Sequence, residues 1–175
     1  MRRLIYILML FFLSVSSCST EEVAEEIAVG DTAPDFCLKD MNGNIIILSN
    51  SAEQPVVLRF FETDCRFCRA DTPIINVYFE KYKDKGLQVF YVAAYHETKE
   101  SVSSFMEALD VPFPVILDKD AKLADLYQVL LYPQTIMIAP GRKIKAIIPG
   151  GVGEAELDEM VGPYLQQTHG PTAAN

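Results

Sequence analysis

The sequence predicts a layered α/β domain. Three observations carry that expectation. Strand-length apolar runs alternate with amphipathic helical stretches through the middle of the chain, the pattern of right-handed βαβ crossovers. Two short apolar runs flank an Asn42-Gly43 turn near the front, the signature of a β-hairpin. Near the end, "QTIMIA" and "KIKAIIP" are separated only by Pro140-Gly141, so those two strands must be antiparallel.

Taken in order, Phe36 to Lys39 and Ile45 to Leu48 form the hairpin. Pro55 to Glu62, "PVVLRFFE", is apolar enough for a central strand covered on both faces. The run breaks at Thr63-Asp64, and a helix is expected from near Cys65. In it Ile74, Val77, Tyr78 and Tyr82 form the inward stripe, and Gly86 ends it. Leu87 to Ala94 is a second buried strand. Val102, Phe105, Met106 and Leu109 mark another helix, "FPVIL" a short strand, and Leu123, Leu126 and Tyr127 a brief helix. After the two closing strands, Gly150-Gly151 breaks the chain. Leu157, Met160, Val161, Tyr164 and Leu165 mark a last helix, which Pro163 should kink or end early.

The 175 residues are enough for one domain, and 50% are hydrophobic. A net charge of −9 argues against nucleic acid, which needs clustered Lys and Arg on one face. With two His and no second cysteine pair, no metal site is expected.

The first 17 residues read as a leader rather than as part of the fold. Arg2 and Arg3 precede an apolar run from Leu4 to Leu13, too short for a standard membrane-spanning helix. Val15-Ser16-Ser17 before Cys18 resembles the lipobox of bacterial lipoproteins. That resemblance implies cleavage before Cys18, lipid on its sulfur and a membrane anchor. Losing Arg2 and Arg3 would leave 13 basic against 24 acidic residues, a net charge of −11. The lipid, not electrostatics, would then hold the protein to the membrane. Residues 18–28 read as an acidic tether, 29–168 as the domain and 169–175 as a disordered tail. Export permits disulfides.

The stretch "ETDCRFCRADTP" (62–73) carries the chemistry. A strand running into a helix at Cys65 sets that sulfur at a helix N-terminus, where free N–H groups and the helix dipole favour a thiolate. Arg66 and Arg69 push the same way, and Asp64 against it. Cys65 and Cys68 lie at i and i+3, about 5–6 Å apart between Cβ atoms on an ideal helix, from which disulfide geometry is within reach. Zinc fails for want of ligands, and haem attachment fails because Arg69, not His, follows Cys68. A purely structural disulfide stays open, although so short a loop would stabilise little. Cys37 is expected to be a small buried hydrophobe.

Between Val29 and Leu165 the chain resembles the thioredoxin superfamily, in particular its membrane-tethered TlpA/ResA-like thiol–disulfide oxidoreductases, a branch related to AhpC/TSA proteins. The residues that carry this are "VGDTAPDF", "VVLRFFETDCRFC", Pro73 eight residues after Cys65, and Tyr132-Pro133 before "QTIMI". The resemblance implies a thioredoxin-like fold, with a central mixed sheet flanked by helices and an added N-terminal hairpin. It implies Cys65 as nucleophile, Cys68 as resolving thiol, a redox-active Cys65–Cys68 disulfide and no other cofactor. It implies a cis-proline loop at Tyr132 and Pro133 that binds substrate, flanked by Arg66 and Phe67. Its carboxylate near the thiols corresponds to Asp71; a solvated Asp71 paired with Arg66 or Lys85 is the competing reading. Arg59 stands where thioredoxin has a buried Asp. It would tune the thiols if it faces Cys68, or pair with Glu62 at a surface.

The partners implied are exported disulfide-containing proteins and a membrane electron donor of thiol type, with the chain lipid-anchored in the periplasm or at the cell surface. The direction implied is reduction, as in cytochrome c maturation. A peroxiredoxin-type peroxidase would need Pro and Thr where Leu58 and Glu62 stand. A non-catalytic binding lipoprotein is the other alternative.

Overall fold

The computed structural model describes residues 26–165. The leader (1–17), the lipidation residue Cys18 and the tail (169–175) lie outside the described residues. No helix among the described residues is long and apolar enough to cross a membrane.

Strands β1 (Cys37–Lys39) and β2 (Ile45–Ile47) form an antiparallel hairpin in which Cys37 faces Ile47. Its turn is closed by Asp40, whose carboxylate accepts from the backbone N–H of Asn42 and Asn44. Gly43 turns at φ +87°. Cys37 is exposed, against the buried position expected of it. Strand side chains alternate, and Leu38 takes the inward position, so its neighbour must point out.

The main sheet holds β3 (Val56–Phe61), β4 (Gln88–Ala93), β5 (Val115–Leu117), β6 (Gln134–Ala139) and β7 (Lys143–Pro149), ordered β5-β4-β3-β6-β7. The β3–β4 and β4–β5 pairs are parallel, while β3–β6 and β6–β7 are antiparallel. All six residues of β3 are buried, as a central strand covered on both faces requires. Val56, Leu58 and Phe60 face the layer with Leu48, Leu123 and Tyr127. Val57 and Phe61 face the other layer, with Ile75, Phe105 and Leu157. Arg59 shares their side by the same alternation.

The helices are α1 (Arg66–Tyr82), α2 (Lys99–Ala108), α3 (Lys122–Leu126) and α4 (Glu154–Leu165). After α1 a 3-10 turn, Lys83–Lys85, leads to Gly86 in the left-handed region. α1 buries Cys68, Asp71, Thr72, Ile75 and Tyr78. Ile74 and Val77, expected inside, are exposed, Val77 by 69%. Tyr78 is buried and Tyr82 packs half-buried against the core, as expected, but the first turns of the stripe are displaced because two inner positions there, Asp71 and Thr72, are polar. Pro163 does not end α4 early; the helix continues to Leu165.

Candidate active site

Cys65 is the N-cap of α1, with extended backbone at φ −69° and ψ 120°. Its Sγ accepts from the backbone N–H of Cys68 at 3.3 Å, using one of the donors a helix start leaves free. The half-buried Cys65 and the buried Cys68 are both free thiols, so the structure holds the reduced form of the pair. Burial pushes the Cys68 thiol up to about 12, aided by its contact with Cys65, while the Glu62 backbone and the Arg59 charge oppose the rise.

Three side chains on adjacent strands face α1. The register sets Arg59 opposite Tyr91 on one side and Thr135 on the other. Arg59 is fully buried, and its Nη2 donates to Asp71 Oδ2 at 2.6 Å. Its Nη1 donates to the Thr135 hydroxyl, and to the Gly150 carbonyl at 3.2 Å. Among the described residues its Nε finds no acceptor. Thr72 donates to the Cys68 carbonyl at 2.7 Å and lies 3.2 Å from the Tyr91 hydroxyl. Asp71 is therefore no solvated acid paired with Arg66 or Lys85, and Arg59 does not pair with Glu62. Sequence separation hid the arrangement, since Thr135 is 76 residues from Arg59.

Gly150-Gly151, read from sequence only as a break, wraps this ion pair. Val152 N–H donates to Asp71 Oδ2 at 2.9 Å. A Cβ on Gly151 would lie 3.2 Å from that same oxygen, so any side chain here would press on the ion pair. The doubled glycine was the available signal.

Of the other expected site residues, Arg66 and Phe67 are exposed on the first turn of α1, with the guanidinium 5.7 Å from the ring centroid. The Tyr132-Pro133 peptide is cis. Tyr132 is half-buried, which pushes its phenol up and keeps it protonated. Leu130 and Leu131, missed in the sequence, are exposed just before it. Arg69 donates to the Thr63 carbonyl at 3.1 Å, so its charge is engaged beside the site. Asp64 is exposed. Among the described residues no group of three or more His, Cys, Asp and Glu side chains could hold a metal ion.

The AhpC/TSA family model matches residues 29–147, a stretch that spans the hairpin, the cysteine pair and the cis-proline loop. The chain belongs to the AhpC/TSA family. Within it the chain is a thiol–disulfide oxidoreductase of the ResA-like kind. It is 33% identical over 141 residues to the thiol-disulfide oxidoreductase ResA of Bacillus subtilis, covering 81% of this chain and 76% of that one. The ResA of Geobacillus kaustophilus is 33% identical over 139 residues, covering 79% and 78%. Among solved structures, a putative thiol:disulfide interchange protein DsbE from Chlorobium tepidum superposes with a TM-score of 0.72 at 28% identity, over 80% of this chain and 99% of that one. StoA from Bacillus subtilis, at a TM-score of 0.65 and 20% identity over 73% and 96%, shares the fold. The thioredoxin-like architecture with its added hairpin thus stands as expected.

Proposed function

We propose that this oxidoreductase reduces disulfides of exported proteins, with Cys65 as the attacking thiolate and Cys68 as the resolving thiol. The observation that carries the reading is the N-cap geometry. Cys65 is the more accessible sulfur and already accepts a helix N–H, while Cys68 is buried behind it as a neutral thiol.

Cys65 sulfur attacks one sulfur of the partner's disulfide, and the other partner sulfur leaves as a thiolate. Cys68 then gives up its proton and attacks the Cys65 sulfur, releasing the partner's second thiolate. The partner gains two electrons, and the chain is left with a Cys65–Cys68 disulfide. A dithiol donor must return two electrons for another cycle; a membrane protein with such a pair fits that requirement. The Arg59 charge acts on Cys68 in the second step by favouring its thiolate, and Asp71 holds that guanidinium in place. Tyr132, Pro133 and Phe67 are the proposed contacts for an extended partner segment, with Arg66 at the rim. Tyr132 offers backbone for strand addition. Lipid on Cys18 would hold the domain at a bacterial membrane, facing the periplasm or the cell surface.

Insulin reduction with a thiol regenerant tests the reading. The wild type turns over, Cys68→Ser accumulates a mixed disulfide through Cys65, and Cys65→Ser does neither. Turnover by Cys65→Ser at the wild-type rate would end it.

A further inference from the structure

The loop that delivers Cys65 to α1 is held by a residue outside the cysteine motif. Thr63 lies two positions before Cys65 and is buried. Glu97, in the β4–α2 loop, accepts from the Thr63 backbone N–H at 2.6 Å through Oε1 and from the Thr63 hydroxyl at 2.9 Å through Oε2. Ser101 donates to the same Oε2 at 2.5 Å. Ser101 in turn is locked into the capping box that opens α2, exchanging bonds with Thr98. On the other side of Thr63, its carbonyl accepts from Arg69, whose guanidinium lies 5.6 Å from the centroid of Phe105 on α2. The Thr63 N–H, hydroxyl and carbonyl are thus all engaged, two of them by one carboxylate 34 residues away.

We propose that Glu97 is a positioning residue for the nucleophile: it holds Thr63 so that the Cys65 sulfur stays at the N-terminus of α1, against the Cys68 N–H. Glu97 bonds to neither sulfur and acts through the loop. The inference rests on the reading of Cys65 as nucleophile. It has a sign that a charge effect does not share. Removing a nearby negative charge alone favours the Cys65 thiolate and speeds its reactions. Losing the clamp lets the sulfur leave the helix donors and slows them.

The test is alkylation of the fully reduced protein by iodoacetamide, read peptide by peptide by mass spectrometry. The exposed Cys37, on the hairpin, serves as the internal control. Glu97→Ala is expected to slow Cys65 about tenfold, the effect of a lost charge-assisted hydrogen bond, with Cys37 unchanged. Glu97→Gln keeps an acceptor for the Thr63 N–H and is expected to match or exceed the wild-type rate. An alanine variant that melts lower yet keeps the wild-type Cys65 to Cys37 ratio would overturn the proposal, as would a glutamine variant as slow as alanine. Should Glu97→Ala not fold, Thr63→Val carries the test, with a slowing of about threefold expected for one lost neutral bond and an unchanged ratio overturning it. A wild-type Cys65 no faster than Cys37 would sink the nucleophile reading itself.

Discussion

Replacing Asp71 with Asn breaks the buried ion pair from one side. Asn fits the same space and can still accept from Val152 N–H, so packing changes little. What changes is that Arg59, with no exposure to water, loses its counter-charge. Its remaining acceptors are the Thr135 hydroxyl, the Gly150 carbonyl and the amide oxygen that replaces Asp71 Oδ2, all neutral. Removing one partner of a buried pair costs about 3–5 kcal/mol, because an uncompensated charge stays inside. Against a total stability of roughly 5–15 kcal/mol, that is a large fraction. At about 2–4 °C per kcal/mol for a domain of this size, the lower figure alone moves the melting point down by roughly 6–12 °C. The assay is urea unfolding of the reduced protein, with the midpoint falling and the slope unchanged. The double variant Arg59→Met/Asp71→Leu removes both charges and is expected near or above the wild type. An Asp71→Asn midpoint within about 0.5 kcal/mol of wild type, the scale of an ordinary surface change, would refute the reasoning.

The same pair bears on the resolving thiol. Asp71→Asn leaves the Arg59 charge unbalanced near Cys68, which favours its thiolate and brings the thiol down from about 12; the pH profile of Cys68 alkylation reads it, shifting to lower pH in the variant. Alkylation at pH 8 is expected to modify Cys65 and Cys37 and to spare Cys68, which is buried and whose thiol is raised to about 12; mass spectrometry of the peptides checks this. Burial pushes Glu97 up, but its bonds from Ser101 and Thr63 outweigh that and leave it below the usual carboxylate range. A depressed folded value means the ionised clamp stabilises fully above the unfolded value of about 4.3 and less as pH falls through the folded value. The urea midpoint of wild type should therefore lose its advantage over Glu97→Gln between about pH 5 and pH 3.

Local features of this chain were legible in its sequence. The hairpin follows from Asn42-Gly43, the helix end from Gly86, and the N-cap sulfur from a strand meeting a helix at Cys65. Each depends on backbone chemistry within a few residues. The central strand was legible too, because an unbroken apolar run has one stable place in such a sheet. What the sequence could not state was which side chains meet across strands. The inner face of α1 depends on Asp71 finding Arg59, and that depends on the β3 register with β4 and β6. Cys37 looked like a core residue until the hairpin's alternation turned it outward. Glu97 belongs to the same class: a lone acid in a loop until tertiary packing brings it to Thr63. Hydrogen-bond and charge partners tens of residues apart are fixed only when the layers close, since the low dielectric that makes those pairs matter exists only in the packed core.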